Sequence, residues 1–267
     1  MQGYGPRMAH FERDGARIHY QDSGGDGPPI LWSHGFLMDH TMFDPQVAGL
    51  DGYRHIRWDE RGFGETESTG EFTYWDSAED AIALLDHLDI DQAVLAGMSQ
   101  GGFLSLRAAI AHPDRVRALI LIDTQAGTED AENLESYRGM VDALSTGDDE
   151  TRSAVFDIVG GLIISDPDLE PEWKAKWMAD EPGRIVDPGG ALLDRDDITD
   201  RLGEITCPAL IVHGTSDTAI PIEKAELLRA GLADCRDLVP IEGAAHAPNL
   251  THPAEVNRHI ERFLDAL

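Results

Sequence analysis

Ser99 stands in the pentapeptide Gly97-Met98-Ser99-Gln100-Gly101. A serine hydroxyl is a weak nucleophile at neutral pH. It needs a base to take its proton, and that base needs a carboxylate to fix its tautomer. Both types occur later in the chain, Asp217 in His213-Gly214-Thr215-Ser216-Asp217 and His246 in Gly243-Ala244-Ala245-His246. Gly-x-Ser-x-Gly by itself is short, and many matches are glycine-rich turns carrying a solvated serine. Here the apolar run Val94-Leu95-Ala96 leads into it and a helical pattern follows at once. That setting forces a tight strand-to-helix turn with Oγ exposed above the strand end. The first N–H groups of the helix then face the same point and favour negative charge there.

Rival assignments exist for each partner. Asp217 could cap a helix near Pro221, and His246 could be an ordinary loop histidine. Asp123 is a second candidate acid, since it also ends an apolar run, Val116 to Ile122. His34, in His34-Gly35-Phe36, could serve as a base, but a structural role in holding its loop fits better because His246 is better placed. Asp59 and Arg61, in Asp59-Glu60-Arg61-Gly62-Phe63-Gly64, are expected to tie their own loop together electrostatically.

The elements that must position these groups can be read from periodicity. Ala16 to Asp22 alternates like a half-buried strand, and Ile30 to Ser33, Tyr53 to Trp58, Gln92 to Gly97 and Val116 to Asp123 read as buried strands. Helical spacing covers Tyr74 to Leu88 and Gly101 to Ala111, with a weaker helix from Thr41 to Leu50. This alternation implies right-handed crossovers, a mostly parallel sheet with helices on both faces, and functional groups at the carboxyl ends of the strands. The rhythm breaks across residues 126–200, where helices are expected near 131–144, 151–164 and 172–178 but no strand. Strands resume at Cys207 to Gly214 and Arg236 to Ile241, with helices over Ile222 to Leu232 and Pro253 to Leu267. The expected organisation is therefore an α/β core from 1–125 and 201–267 with a helical lid from 126–200.

Composition narrows the partners. The 267 residues include 21 basic and 50 acidic side chains, a formal net charge of -29. Such a surface repels phosphate backbones and anionic membranes, so neither nucleic acid nor membrane is an expected partner. Residues 126–200 alone carry 20 acidic and six basic side chains, which predicts a strongly anionic lid exterior. Cys207 and Cys235 read as reduced core residues. Met1 to Phe11 lacks a signal-peptide pattern and no run is long enough to span a bilayer, so a soluble, cytoplasmic protein is expected. The histidines look too scattered for a zinc site, and neither a metal nor a cofactor is expected.

Taken together, His34-Gly35-Phe36, the Ser99 pentapeptide, the Asp217 and His246 segments and the Asp59-Gly64 loop resemble the α/β-hydrolase superfamily over nearly the whole chain. The order Ser, Asp, His is the order that superfamily shows. The resemblance implies a Ser99–His246–Asp217 triad, with an oxyanion hole made by the backbone N–H groups of Phe36 and Gln100. It implies substrate contacts from Phe36, Leu37, Met38, Met98, Met140 and Trp177. Aspartate-nucleophile members such as haloalkane dehalogenases and epoxide hydrolases are excluded by Ser99. The expected reaction is hydrolysis of a small to medium, largely apolar carboxylic ester or lactone through an acyl-enzyme. Carbon–carbon bond hydrolysis, perhydrolysis and a triad-bearing ligand receptor stay open as alternatives.

Overall fold

The computed structural model of the chain describes residues 7–129 and 131–267; Met1 to Pro6 and Asp130 lie outside it. The chain opens with β1 (Arg7–Arg13), β2 (Ala16–Asp22) and β3 (Pro29–Ser33). It continues through α1 (Asp44–Gly49), β4 (Arg54–Trp58), β5 (Glu67–Ser68), α2 (Tyr74–His87) and β6 (Ala93–Met98). After α3 (Gln100–Ala111) and β7 (Val116–Ile122) come four helices in succession: α4 (Ala131–Thr146), α5 (Asp149–Ile163), α6 (Glu170–Ala179) and α7 (Val186–Leu193). β8 (Ala209–Gly214), α8 (Ile222–Gly231), β9 (Cys235–Ile241), α9 (Pro248–Thr251) and α10 (Pro253–Leu264) complete it.

Among the described residues one sheet forms, in the order β1-β2-β4-β3-β6-β7-β8-β9, with the short β5 paired to β2. From β4 to β9 every pairing is parallel, whereas β2 meets β1, β4 and β5 antiparallel. The alternation of side chains along each strand explains how the parallel part is covered. Ile30, Trp32, Ala96, Ile120 and Leu210 face a core shared with Val256 and Ile260 of α10. Their neighbours Leu31, Leu95, Leu119 and Ile211 face the opposite core, built with Ala81, Leu85, Leu104 and Leu228. All six residues of β6 are buried, as a strand covered on both faces requires.

Besides the short β5 and α9, three elements differ from the sequence expectation. β1 was not anticipated; its register against β2 sets Phe11 opposite Ile18 and buries both. The weak helix at 41–50 is a 3-10 turn, His40–Phe43, followed by α1, whose second residue is Pro45. Proline has no N–H to continue a helix but fits its first turn, so the helix restarts there. α7 was hidden by Pro188-Gly189-Gly190, yet Pro188 again lies in the first turn, and Ala191 and Leu192 are buried behind it.

Helix α6 and the 3-10 turn after it, Pro182–Ile185, are tied to the core by specific bonds. From α6, Trp177 Nε1 donates to the Leu37 carbonyl at 2.5 Å and Lys176 Nζ to Thr41 Oγ1 at 2.6 Å. Arg184 donates to the carbonyls of Thr66 (2.6 Å) and Phe63 (2.9 Å).

Candidate active site

The turn from β6 into α3 holds Ser99 at φ 51, ψ -115. A non-glycine residue there is strained by about 1–3 kcal/mol, which surrounding bonds must offset. Ser99 N donates to the Ile122 carbonyl at 2.9 Å, and the Ser99 carbonyl accepts from Gly102 N (2.9 Å) and Thr124 Oγ1 (2.7 Å). The flanking glycines are sterically required. A Cβ on Gly97 would collide with the Gly101 carbonyl, and one on Gly101 with the Ser33 carbonyl. Gln100 is the first residue of α3, so its N–H belongs to the unsatisfied first turn.

Two further loops bring in the acid and the base. Ser216 N donates to the Ala244 carbonyl at 2.9 Å and Gly243 N to Thr215 Oγ1 at 2.9 Å, joining the loop after β8 to the loop after β9. Across this junction His246 Nδ1 donates to Asp217 Oδ2 at 2.7 Å. Asp217 Oδ1 accepts from Ala219 N (2.8 Å) and Ile220 N (3.0 Å), fixing the carboxylate plane. Burial opposes charge on Asp217, but the His246 charge and hydrogen bond, with the Ile220 N–H, outweigh it and hold the carboxyl below its usual range.

Ser99 and His246 border one cavity of about 280 Å³ whose walls are mostly apolar. Phe36, Leu37, Met98 and Met140 line it, as expected from the sequence. Met38 and Trp177 do not; they border an adjacent cavity of about 490 Å³ on the far side of Leu37. Trp177 Nε1 donates to the Leu37 carbonyl, which ties the indole to the backbone of that loop, and Met38 is packed in the core. The sequence reading missed Phe103, Tyr137, Leu192 and Ile220 on the serine cavity. Of these, Phe103 carried a signal, since it stands one helical turn after Ser99 on α3.

Comparison with known proteins follows the same outline. A family model for the alpha/beta hydrolase fold matches residues 28–253. The chain belongs to the α/β-hydrolase family. This hydrolase is 26% identical to 3-oxoadipate enol-lactonase 1 of Acinetobacter baylyi, over 96% of each chain. It superposes on a thermophilic esterase from Thermogutta terrifontis with a TM-score of 0.87 and 27% identity, covering 98% of this chain and 99% of the other. The enol-lactonase of Burkholderia xenovorans LB400 gives the same TM-score at 25% identity, covering 96% and 99%.

The remaining candidates occupy supporting positions in the hydrolase. His34 Nδ1 donates to the Gly35 carbonyl at 2.8 Å, and its Nε2 accepts from Glu60 N at 2.9 Å. Burial lowers its pKa, so the ring is a neutral brace for the Phe36 loop. Asp59 and Arg61 do not meet each other, contrary to expectation. Asp59 accepts from His40 N (2.7 Å), His40 Nδ1 (2.9 Å) and Glu65 N (2.9 Å), while Arg61 forks onto Asp80 at 2.6 and 2.9 Å. Asp123 accepts from Gly214 N at 2.8 Å; burial, then the Asp217 charge, push its carboxyl well above the ordinary range. Of the two candidate acids it is Asp217 that meets His246.

The histidines are less scattered than the sequence suggests. Among the described residues, Asp123–His213–Asp217, His19–His40–Asp59 and His10–His19–Glu65 each bring three ligand atoms within 4.8 Å of one another. In the first group Asp217 Oδ2 is bonded to His246, His213 Nε2 donates to the Ile220 carbonyl at 2.8 Å and Asp123 Oδ1 accepts from Gly214 N. No helix among the described residues is long and apolar enough to cross a membrane.

Proposed function

We propose that this α/β hydrolase cleaves a small to medium, largely apolar, neutral carboxylic ester or lactone, with Ser99 as nucleophile, His246 as general base and Asp217 as its orienting acid. The observation that carries this is the strained Ser99 sharing an apolar cavity with His246, whose far nitrogen is bonded to Asp217. With Nδ1–H committed to Asp217, Nε2 carries the lone pair. It takes the Ser99 proton as Oγ attacks the carbonyl, then returns it to the leaving alkoxide. The developing oxyanion is met by the N–H groups of Phe36 and Gln100, a contribution of about 3–4 kcal/mol per donor to the barrier. Water, activated by the same imidazole, then releases the acid. Helices α4 to α7 act as the lid that supplies the cavity roof and limits water.

The relatives named as esterases and enol-lactonases support the same reading. The test is a panel of p-nitrophenyl esters and lactones of graded chain length, run on the wild type and on Ser99→Ala. Turnover that vanishes in the variant supports the proposal, and turnover that survives removes Ser99 from the reaction.

A further inference from the structure

Away from Ser99, the β1–β2 hairpin carries a cluster with open nitrogen lone pairs. The antiparallel register sets His10 directly opposite His19, so the rings share one face, with centroids 5.0 Å apart. Glu65, in the loop before β5, brings Oε2 to 3.7 Å from His19 Nδ1. One ligand atom from each of these three residues lies within 4.8 Å of the other two. Glu65 is exposed, so its side chain is free to swing the remaining distance to a common centre.

The His19 ring is the second, independent observation. It is 1% exposed, yet among the described residues neither of its nitrogens has a hydrogen-bond partner. Buried polar groups are ordinarily paired, because one without a partner loses its water and gains nothing in return. Behind it, His40 is fully engaged: Nδ1 donates to Asp59 and Nε2 accepts from Gln21 Nε2 at 2.8 Å. In front, His10 and Glu65 border an open surface groove together with Glu12, Glu67, Arg17 and Arg184, and Arg17 pairs with both Glu12 and Glu67. That groove gives a hydrated cation a path to the cluster, and Glu65 is the acid in it that Arg17 does not hold. Arg17 donates to His10 Nδ1 at 3.3 Å, a long contact that leaves Nε2 for a ligand.

We propose that His10, His19 and Glu65 form a binding site for a late first-row divalent metal ion such as Zn²⁺, with water completing the coordination. Two imidazoles and one carboxylate are a donor set that suits such ions over Mg²⁺ or Ca²⁺. The ion would clamp the β1–β2 hairpin, at the sheet edge, onto the loop that runs from Asp59 to Glu65. It would stabilise the fold by mass action and stand apart from the serine chemistry.

The test titrates metal-free protein with Zn²⁺ against a chromophoric chelator at 0.15 M salt. Co²⁺ is added in parallel to read the ligand field by visible absorption. The expected result is one site per chain, weakened about tenfold or more in both His10→Gln and Glu65→Gln, with Co²⁺ bands lost in the same variants. Both residues lie at the surface, and if one variant fails to fold the other decides. Stoichiometric binding that is unchanged in the variants, or displaced equally by Ca²⁺, would assign the ions to the acidic surface and overturn the site. So would the absence of binding.

Discussion

Replacing Asp217 by Asn tests the acid–base pair more sharply than removing it. The two N–H groups of Ala219 and Ile220 both point at Asp217 Oδ1. An asparagine in this place keeps its amide oxygen on those donors, which turns its NH₂ toward His246 Nδ1. That nitrogen must then accept, so the proton moves to Nε2 and the lone pair needed by Ser99 is lost. A base locked in the wrong tautomer lowers kcat by about 10⁴-fold, or about 5 kcal/mol of barrier. The neighbouring Asp123→Asn supplies the contrast. Burial and the Asp217 charge push Asp123 toward its neutral form, its Oδ1 serves Gly214 N, and a neutral amide keeps that acceptor, so kcat should stay within about tenfold. The assay is hydrolysis of p-nitrophenyl acetate and butyrate, with kcat and KM determined separately for each variant, and near-ultraviolet circular dichroism to confirm the fold. Asp217→Asn retaining a tenth of wild-type kcat, or Asp123→Asn losing more than Asp217→Asn, would refute the assignment.

Gly101→Ala should cost about 3 kcal/mol or more, because its Cβ meets the Ser33 backbone and not a yielding side chain; a urea midpoint within experimental error of the wild type would show that the turn has slack. Glu60→Gln should raise stability at pH 8 and leave it unchanged near pH 4. Burial holds the folded-state pKa of Glu60 well above the unfolded value, so the unfolded chain sheds its proton first as pH rises and stability falls. Urea midpoints at the two pH values check this, and an equal effect at both would contradict it. Neutral esters should outcompete analogues bearing a remote carboxylate, since Glu129 borders the serine cavity and the nearby Arg195 is already paired to it at 2.8 Å. Competition at low and high salt measures this, and a preference for the anion in both would count against a neutral substrate.

The central sheet was legible because parallel strands buried on both faces leave continuous apolar runs, and Val94 to Met98 is the plainest of them. The positions of Ser99, Asp217 and His246 could be read for a related reason. Each follows a strand end, and the glycines around Ser99 are fixed by backbone collisions that tolerate no other residue. In the edge hairpin β2 was legible and β1 was not. β1 is half polar, and its burial depends on pairing with β2, a condition that residue spacing alone does not reveal.

The same condition explains why the wall of the serine cavity was read less well than its floor. Met98 stands on β6 beside Ser99, so the sheet register decides where it goes. Trp177 sits on α6, and its placement follows from a single donor reaching the Leu37 carbonyl. Leu37 itself is held at φ 64, immediately after Phe36, and borders both cavities. The inserted helices therefore touch the backbone next to the proposed oxyanion donor and roof the cavity at the same time. Trp177→Phe keeps the packing against Phe156 and Trp173 but removes the N–H that steadies this loop. If that bond helps orient the Phe36 N–H, the variant should lower kcat by about tenfold with KM nearly unchanged, because the loss falls on the transition state. A rise in KM at constant kcat would instead make Trp177 a ground-state wall and uncouple the insertion from the chemistry.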